Sequence, residues 1–185
     1  MQRATGNPFG DRVIGVLRLD PHAYEEIERD ESATTQALTV VVLAALAQGI
    51  GALFSKGGFG LIGALLQGVL GWVVFSVIAY FVGTTLFATP ATSATIGQVL
   101  RTVGFAQAPK LLVILGFLPI VGGIIALVAW LWFLAAAVVA LRHALDFSIE
   151  RAIGTALIAL VGWGIVGIIL GAIFKTGGAI LGVAF

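Results

Sequence analysis

Lys110 is the residue with the most chemical promise, because it lies inside an apolar stretch with Gln107 and Pro109 just before it and Arg101 upstream. An ammonium inside a bilayer is costly, and where one occurs it marks a site for an anionic headgroup or a polar path. The structural alternative is that Pro109 breaks the helix, leaving Lys110 near free carbonyls or letting it reach back to the interface. No acid occurs between residues 33 and 141 to pair with it. His143, Asp146 and Glu150 are the second cluster, since i, i+3 spacing puts His143 and Asp146 on one helix face, as metal or acid–base work would need. Without a supporting ligand motif, solvation of a loop leaving the membrane accounts for them better. His22 beside Pro21 reads as an exposed helix-start residue.

Ser148 and the other hydroxyls have no Ser-His-Asp context or nucleophile elbow. Gly57-Gly58-Phe59-Gly60 lacks the lysine and the preceding strand of a phosphate loop. Cysteine is absent, which removes thiolate chemistry. The expectation is a chain with no catalytic residue, no cofactor and no metal. A nucleic-acid partner would need a clustered basic face, and none is present.

The elements that must position these residues are membrane helices. The 185 residues are 59% hydrophobic and 10% charged, with a mean hydropathy of +1.10. Soluble domains run near a quarter charged, so this chain has too few charges to wet a surface. Residues 1–32 hold seven acids and four arginines, whereas the remainder holds only Asp146 and Glu150 against six basic residues. A cytoplasmic arm, 1–32, therefore precedes a membrane body, 33–175, and a short apolar tail, 176–185. The arm lacks the early apolar core of a signal peptide, so the first span is expected to stay in the mature protein. Residues 12–19 read as a surface-lying amphipathic segment. Residues 21–31 read as a short solvated helix, with Asp20 as N-cap and Pro21 in the first turn.

Five spans follow, at about 33–54, 61–87, 97–118, 120–141 and 152–174. The third is expected to be kinked at Pro109, with Arg101 reaching back to the headgroups. Its rival is an interfacial helix over 95–107 followed by a re-entrant hairpin. With the N-terminus inside, seven Lys and Arg fall on the cytoplasmic side and two outside, as the positive-inside rule favours. Gly164, Gly167 and Gly171 give the fifth span a small-residue face for helix packing, and Gly60, Gly63, Gly68 and Gly71 do so for the second. Packing within the chain is favoured over a partner's helix. Trp72, Trp130, Trp132 and Trp163 lie deep in their spans and suggest packing more than an interface belt.

Arg12-Val13-Ile14-Gly15-Val16-Leu17, Pro21 and Tyr24-Glu25-Glu26-Ile27 resemble the start of bacterial members of the Yip family, named for interaction with Ypt/Rab GTPases in eukaryotes. The run Gly97-Gln98-Val99-Leu100-Arg101-Thr102-Val103-Gly104-Phe105-Ala106-Gln107-Ala108-Pro109 resembles that domain's Gly-aromatic-small segment leading to proline. Trp130 to Arg142 and Ala152-Ile153-Gly154-Thr155-Ala156 resemble its later spans, so the likeness covers about 12–172. It implies an all-α, five-span protein with a cytoplasmic N-terminus, in the inner membrane of a bacterium. It implies an adaptor or accessory subunit, whose partners are the bilayer and other membrane proteins or its own copies. Against this stands a small transporter, channel-like or lipid-handling protein that uses the broken helix around Lys110, for a solute the sequence does not name.

Overall fold

A computed structural model describes residues 8–56, 58–90, 92–118 and 121–181. The chain forms α1 (Pro8–Leu17), α2 (Pro21–Arg29), α3 (Ala33–Lys56) and α4 (Gly58–Phe81), the last continued by a π-helical turn, Val82–Leu86. Then come α5 (Ile96–Phe105), a 3-10 segment (Ala108–Phe117), α6 (Val121–Ala144) and α7 (Ile149–Leu181). No strand occurs among the described residues. Five stretches are long and apolar enough to span: Ala33–Ile50, Leu61–Leu86, Ile96–Gly116, Val121–Ala144 and Ile149–Ala172. Helices are the expected solution, since lipid offers no partner to an unbonded N–H or C=O.

The third span is broken at Ala106-Gln107 and changes its winding. Thr95 caps α5 through a capping box with Gln98. Pro109 cannot donate a backbone bond, and the chain beyond it tightens into the 3-10 form. Ten α-helical residues rise about 15 Å and ten 3-10 residues about 20 Å, together enough for a core of about 30 Å. By length and composition Ile96–Gly116 is apolar enough to cross as one span, interrupted where α5 gives way to the 3-10 segment.

The arm is not a solvated appendage. α1 and α2 form a helical hairpin turned by Leu19, which adopts a left-handed φ of 56°. Asp20 caps α2, accepting from the His22 N–H, and Pro21 takes the first turn. Tyr24 and Ile27, three apart and so on one face of α2, are fully buried, as is Val16 of α1. These side chains belong to the same core as Val99, Val103 and Phe105 of α5 and Leu141 of α6. The expectation of a solvated 21–31 helix is corrected: its Tyr24/Ile27 face needs cover and finds it on α5 and α6. The surface-lying segment is the helix Pro8–Leu17, seated against the bundle with Ile14 turned outward.

α3 packs against α4, α5 and the 3-10 segment through small side chains, among them Ala37, Ala44 and Ala45. A Cβ on Gly68 would stand 2.6 Å from the Ala45 Cβ, so α3 and α4 meet where no larger residue fits. α7 packs on α4 and α6 only over its first part. Trp163 packs against the core, lying where a Gly71 Cβ would meet the indole nitrogen at 2.9 Å. From Gly167 to Ala172 every residue is exposed, so the helix leaves the bundle there. It also continues through Lys175-Thr176-Gly177-Gly178 to Leu181, where the sequence suggested a stop. Residues 182–185 of the expected tail lie outside the described residues.

Candidate functional site

Two constellations stand out, one at the end that carries the arm and one in the middle of the bundle. The first is built on cations that meet α2. Arg101, on α5, is buried and donates from Nε to the Ile27 carbonyl at 3.3 Å and from Nη2 to the Glu28 carbonyl at 2.6 Å. Those are two of the last four carbonyls of α2, which lack partners inside their own helix, at the negative end of its dipole. Arg101 is thus a C-terminal cap supplied by a remote segment. It does not reach for headgroups, because orphan carbonyls sit closer. Gln98, one turn earlier, donates to the Glu28 carboxylate at 2.9 Å.

Arg12 does the matching work from α1. It is 6% exposed and donates to Glu26 at 2.9 Å, Asp30 at 2.6 Å and the Gln36 side chain at 2.9 Å. Burial pulls this guanidinium down, but hydrogen bonds to Asp30 and Glu26 outweigh it and leave the group above its ordinary value. Hydrogen bonds from Ser32, then from Arg12, hold the Asp30 carboxyl below the usual range. Burial, reinforced by the Asp146 charge, holds Glu28 above it. Trp132 completes the clasp, its indole N–H donating to the Leu17 carbonyl at the end of α1 at 3.1 Å. Tyr24 stacks on His143, with ring centroids 5.9 Å apart.

His143, Asp146 and Glu150 therefore do not form a metal site. No group of three His, Cys, Asp or Glu suited to a metal exists among the described residues. His143 is used in the stack, and Asp146, with φ 52°, serves a tight turn in which the Phe147 N–H donates to the Arg142 carbonyl.

The second constellation surrounds Lys110, at the start of the 3-10 segment. Its ammonium stands 3.5 Å from the centroid of the Phe133 ring of α6. Among the described residues no carboxylate lies within ion-pair distance of it. Holding a lysine at a helix centre costs about 2.5–3.5 kcal/mol, and a cation–π contact returns about 0.5–2 kcal/mol. The balance is unfavourable for the chain alone.

Beside Lys110 lies a cavity of about 590 Å³ between α3, α4, α6, α7 and the 3-10 segment. Gln48, Gln67 and Gln107 bring side-chain amides to its wall, and Trp72, Trp130 and Trp163 bring aromatic faces. Gln107 and Lys110 were legible as a pair in the sequence. Gln48 and Gln67 were missed, although a glutamine in each of two uncharged spans was a signal of the same kind. Gly164, Gly167 and Gly171 face open space, where an added Cβ meets nothing within 4 Å. Gly68 and Gly71, by contrast, lie where an added Cβ would meet Ala45 and Trp163.

Fold and site together define an all-helical, five-span membrane protein with a clasped N-terminal hairpin and a cation beside a mid-bundle cavity. The Yip1 domain matches residues 14–173, and the chain belongs to that family. No curated protein and no solved structure matched the chain.

Proposed function

We propose that this protein is a non-enzymatic adaptor or accessory subunit of a larger membrane assembly, a bacterial-type family member with its N-terminus in the cytoplasm. The observation that carries the reading is the clasped arm. Arg12, Arg101 and Trp132 fix the inner face of α1 and α2 to the bundle, while His22, Glu26, Arg29 and Glu31 stay exposed on the outside. A charged surface held rigid spares a partner the entropy of ordering it. Support for the orientation is that Arg12, Arg18, Arg29, Arg101, Arg142 and Arg151 gather on the arm's side, as the positive-inside rule favours for cytoplasm.

The test is affinity purification of the full-length protein at native level in gentle detergent, with mass spectrometry of what accompanies it. Arm deletion would uncover the buried α5 face, so the informative variant is Arg29→Glu with Glu31→Lys. The Arg29 side chain is 77% exposed and, among the described residues, pairs with Glu25. A stoichiometric partner held by the wild type and lost from this variant is the expected result. An identical set of companions from both, or none from either, would sink the adaptor reading.

A further inference from the structure

The cavity at Lys110 has a polar half and an apolar half, and its open side faces lipid. Lys110 and Gln107 share the wall with Gln48 of α3 and Gln67 of α4, while Trp130, Leu160 and Trp163 line the rest. Among the described residues α4 and α6 make no extended contact, so the cavity holds them apart. α7 runs antiparallel to α4 and its Trp163 stands against Gly71, but Cβ atoms added further along at Gly164, Gly167 and Gly171 would meet nothing within 4 Å. From Gly167 to Ala172 every residue of α7 is exposed, and Gln67 and Gly63 of α4 are exposed as well. Trp130 lines the cavity while remaining 44% exposed. The mouth therefore lies within the span, below the arm's end of the bundle.

Small residues keep the space free. Ala44, Ala45, Ala64 and Gly68 line the cavity, and a Cβ added at Gly63 would meet nothing within 4 Å. The ammonium is set against a ring rather than an acid, so its charge is left for a ligand. A free, fully hydrated anion would have to cross hydrocarbon to arrive by this mouth, whereas an anion carried on an apolar chain is already there.

We propose that the cavity between α4 and α6 binds an anionic amphiphile from the bilayer. Its oxyanion, a carboxylate or phosphate, sits on the Lys110 ammonium and the glutamine amides, and its hydrocarbon lies along Trp130 and Leu160. This is a binding site with no covalent step, and it does not depend on the adaptor reading.

Three of the four tryptophans, Trp72, Trp130 and Trp163, line the cavity and report on it. The full-length protein, in bilayers of zwitterionic phosphatidylcholine, is titrated with 9,10-dibromostearate while tryptophan quenching is followed. Brominated phosphatidylcholine and inorganic phosphate serve as the two controls. Saturable quenching by the fatty acid is expected, with no competition from phosphate. Lys110→Gln shifts the half-saturating concentration upward by about tenfold or more, as loss of a charge-assisted bond requires. Lys110→Arg keeps the charge and stays within about threefold of wild type.

Gly63→Leu places an apolar side chain at the cavity wall, starting from a Cβ position with no atom within 4 Å, leaves the charge in place, and abolishes saturable quenching. That variant replaces a helical glycine in open space, so it carries the test even if Lys110→Gln fails to fold. Wild-type binding in both Lys110→Gln and Gly63→Leu would overturn the site. Binding lost with Gly63→Leu but kept with Lys110→Gln would overturn the role of the ammonium. Equal saturable quenching by brominated phosphatidylcholine would overturn the anionic class. Displacement by inorganic phosphate alone would identify a soluble anion and overturn the amphiphile.

Discussion

Replacing Arg101 with methionine keeps an apolar stem in the buried position and removes both bonds to the end of α2. The side chain donates to the Ile27 and Glu28 carbonyls at 3.3 and 2.6 Å. Hydrogen bonds from a charged donor contribute about 1.5–3 kcal/mol each. The freed carbonyls recover part of that from water, and burying a guanidinium has its own cost. A net loss of about 2–3 kcal/mol in arm docking follows, which is roughly a 30- to 150-fold rise in the population of the open arm. Hydrogen exchange read by mass spectrometry resolves this, since amides of α2 exchange through local opening when docking is weaker than global stability. Amides of residues 22–29 are expected to lose protection by that factor, while α3 and α4 keep theirs. Arg101→Lys, with a point charge in place of a fork, recovers part of the loss. Unchanged protection of α2 in the methionine variant would refute the capping argument. Loss spreading equally through α3 and α4 would show that the arm and the bundle open as one unit.

Two further outcomes follow from charge and packing. The Asp30 carboxyl is held low, so its contribution to arm docking is full above the ordinary aspartate range, near 3.9, and fades as pH falls through the folded value. Glu28 is held high, so its effect has the opposite sign: it is favourable at low pH and lost as pH rises through its folded value, above about 4.3. Glu28→Gln keeps an acceptor for Gln98 and should raise α2 protection at pH 7 relative to pH 4; an unaltered pH profile would contradict the assignment. Gly68→Leu drives a side chain into Ala45 and should cost about 1–3 kcal/mol of thermal stability in detergent, whereas a Cβ at exposed Gly167 meets nothing within 4 Å and Gly167→Leu should leave it unchanged. A destabilisation by Gly167→Leu that grows with protein concentration would instead reveal a helix from a second copy on that face.

The spans were readable in the sequence because each is a long run almost free of charge, and a bilayer tolerates little else. The arm's docking was not, because it depends on meetings between residues far apart in the chain, such as Arg101 with Glu28. Local periodicity marks Tyr24 and Ile27 as one face and cannot say what covers it. Arg12 was missed as a buried cation for the same reason: its partners Glu26, Asp30 and Gln36 converge only once the α1–α2 hairpin has closed. The glycine motif in α7 shows the limit of pattern in lipid. Spacing announces a surface suited to close approach, but among the described residues a Cβ added at Gly164, Gly167 or Gly171 would meet nothing within 4 Å.

The broken third span is what brings the cavity's polar groups together. In a 3-10 helix residues three apart eclipse one another, whereas in an α-helix they are offset by about 60°. Gln107, which precedes the 3-10 segment, and Lys110 are three apart, and the Lys110 N–H donates to the Gln107 carbonyl at 2.9 Å. The switch in winding therefore stacks amide and ammonium on one line, and both reach the same cavity. An unbroken α-helix would separate them around its axis and would shorten this ten-residue segment by about 5 Å. Pro109 imposes the switch by withholding one backbone donor at the point where the change is needed. The same proline that marked the third span as ambiguous in the sequence is thus the reason a lone cation and a glutamine can face one ligand.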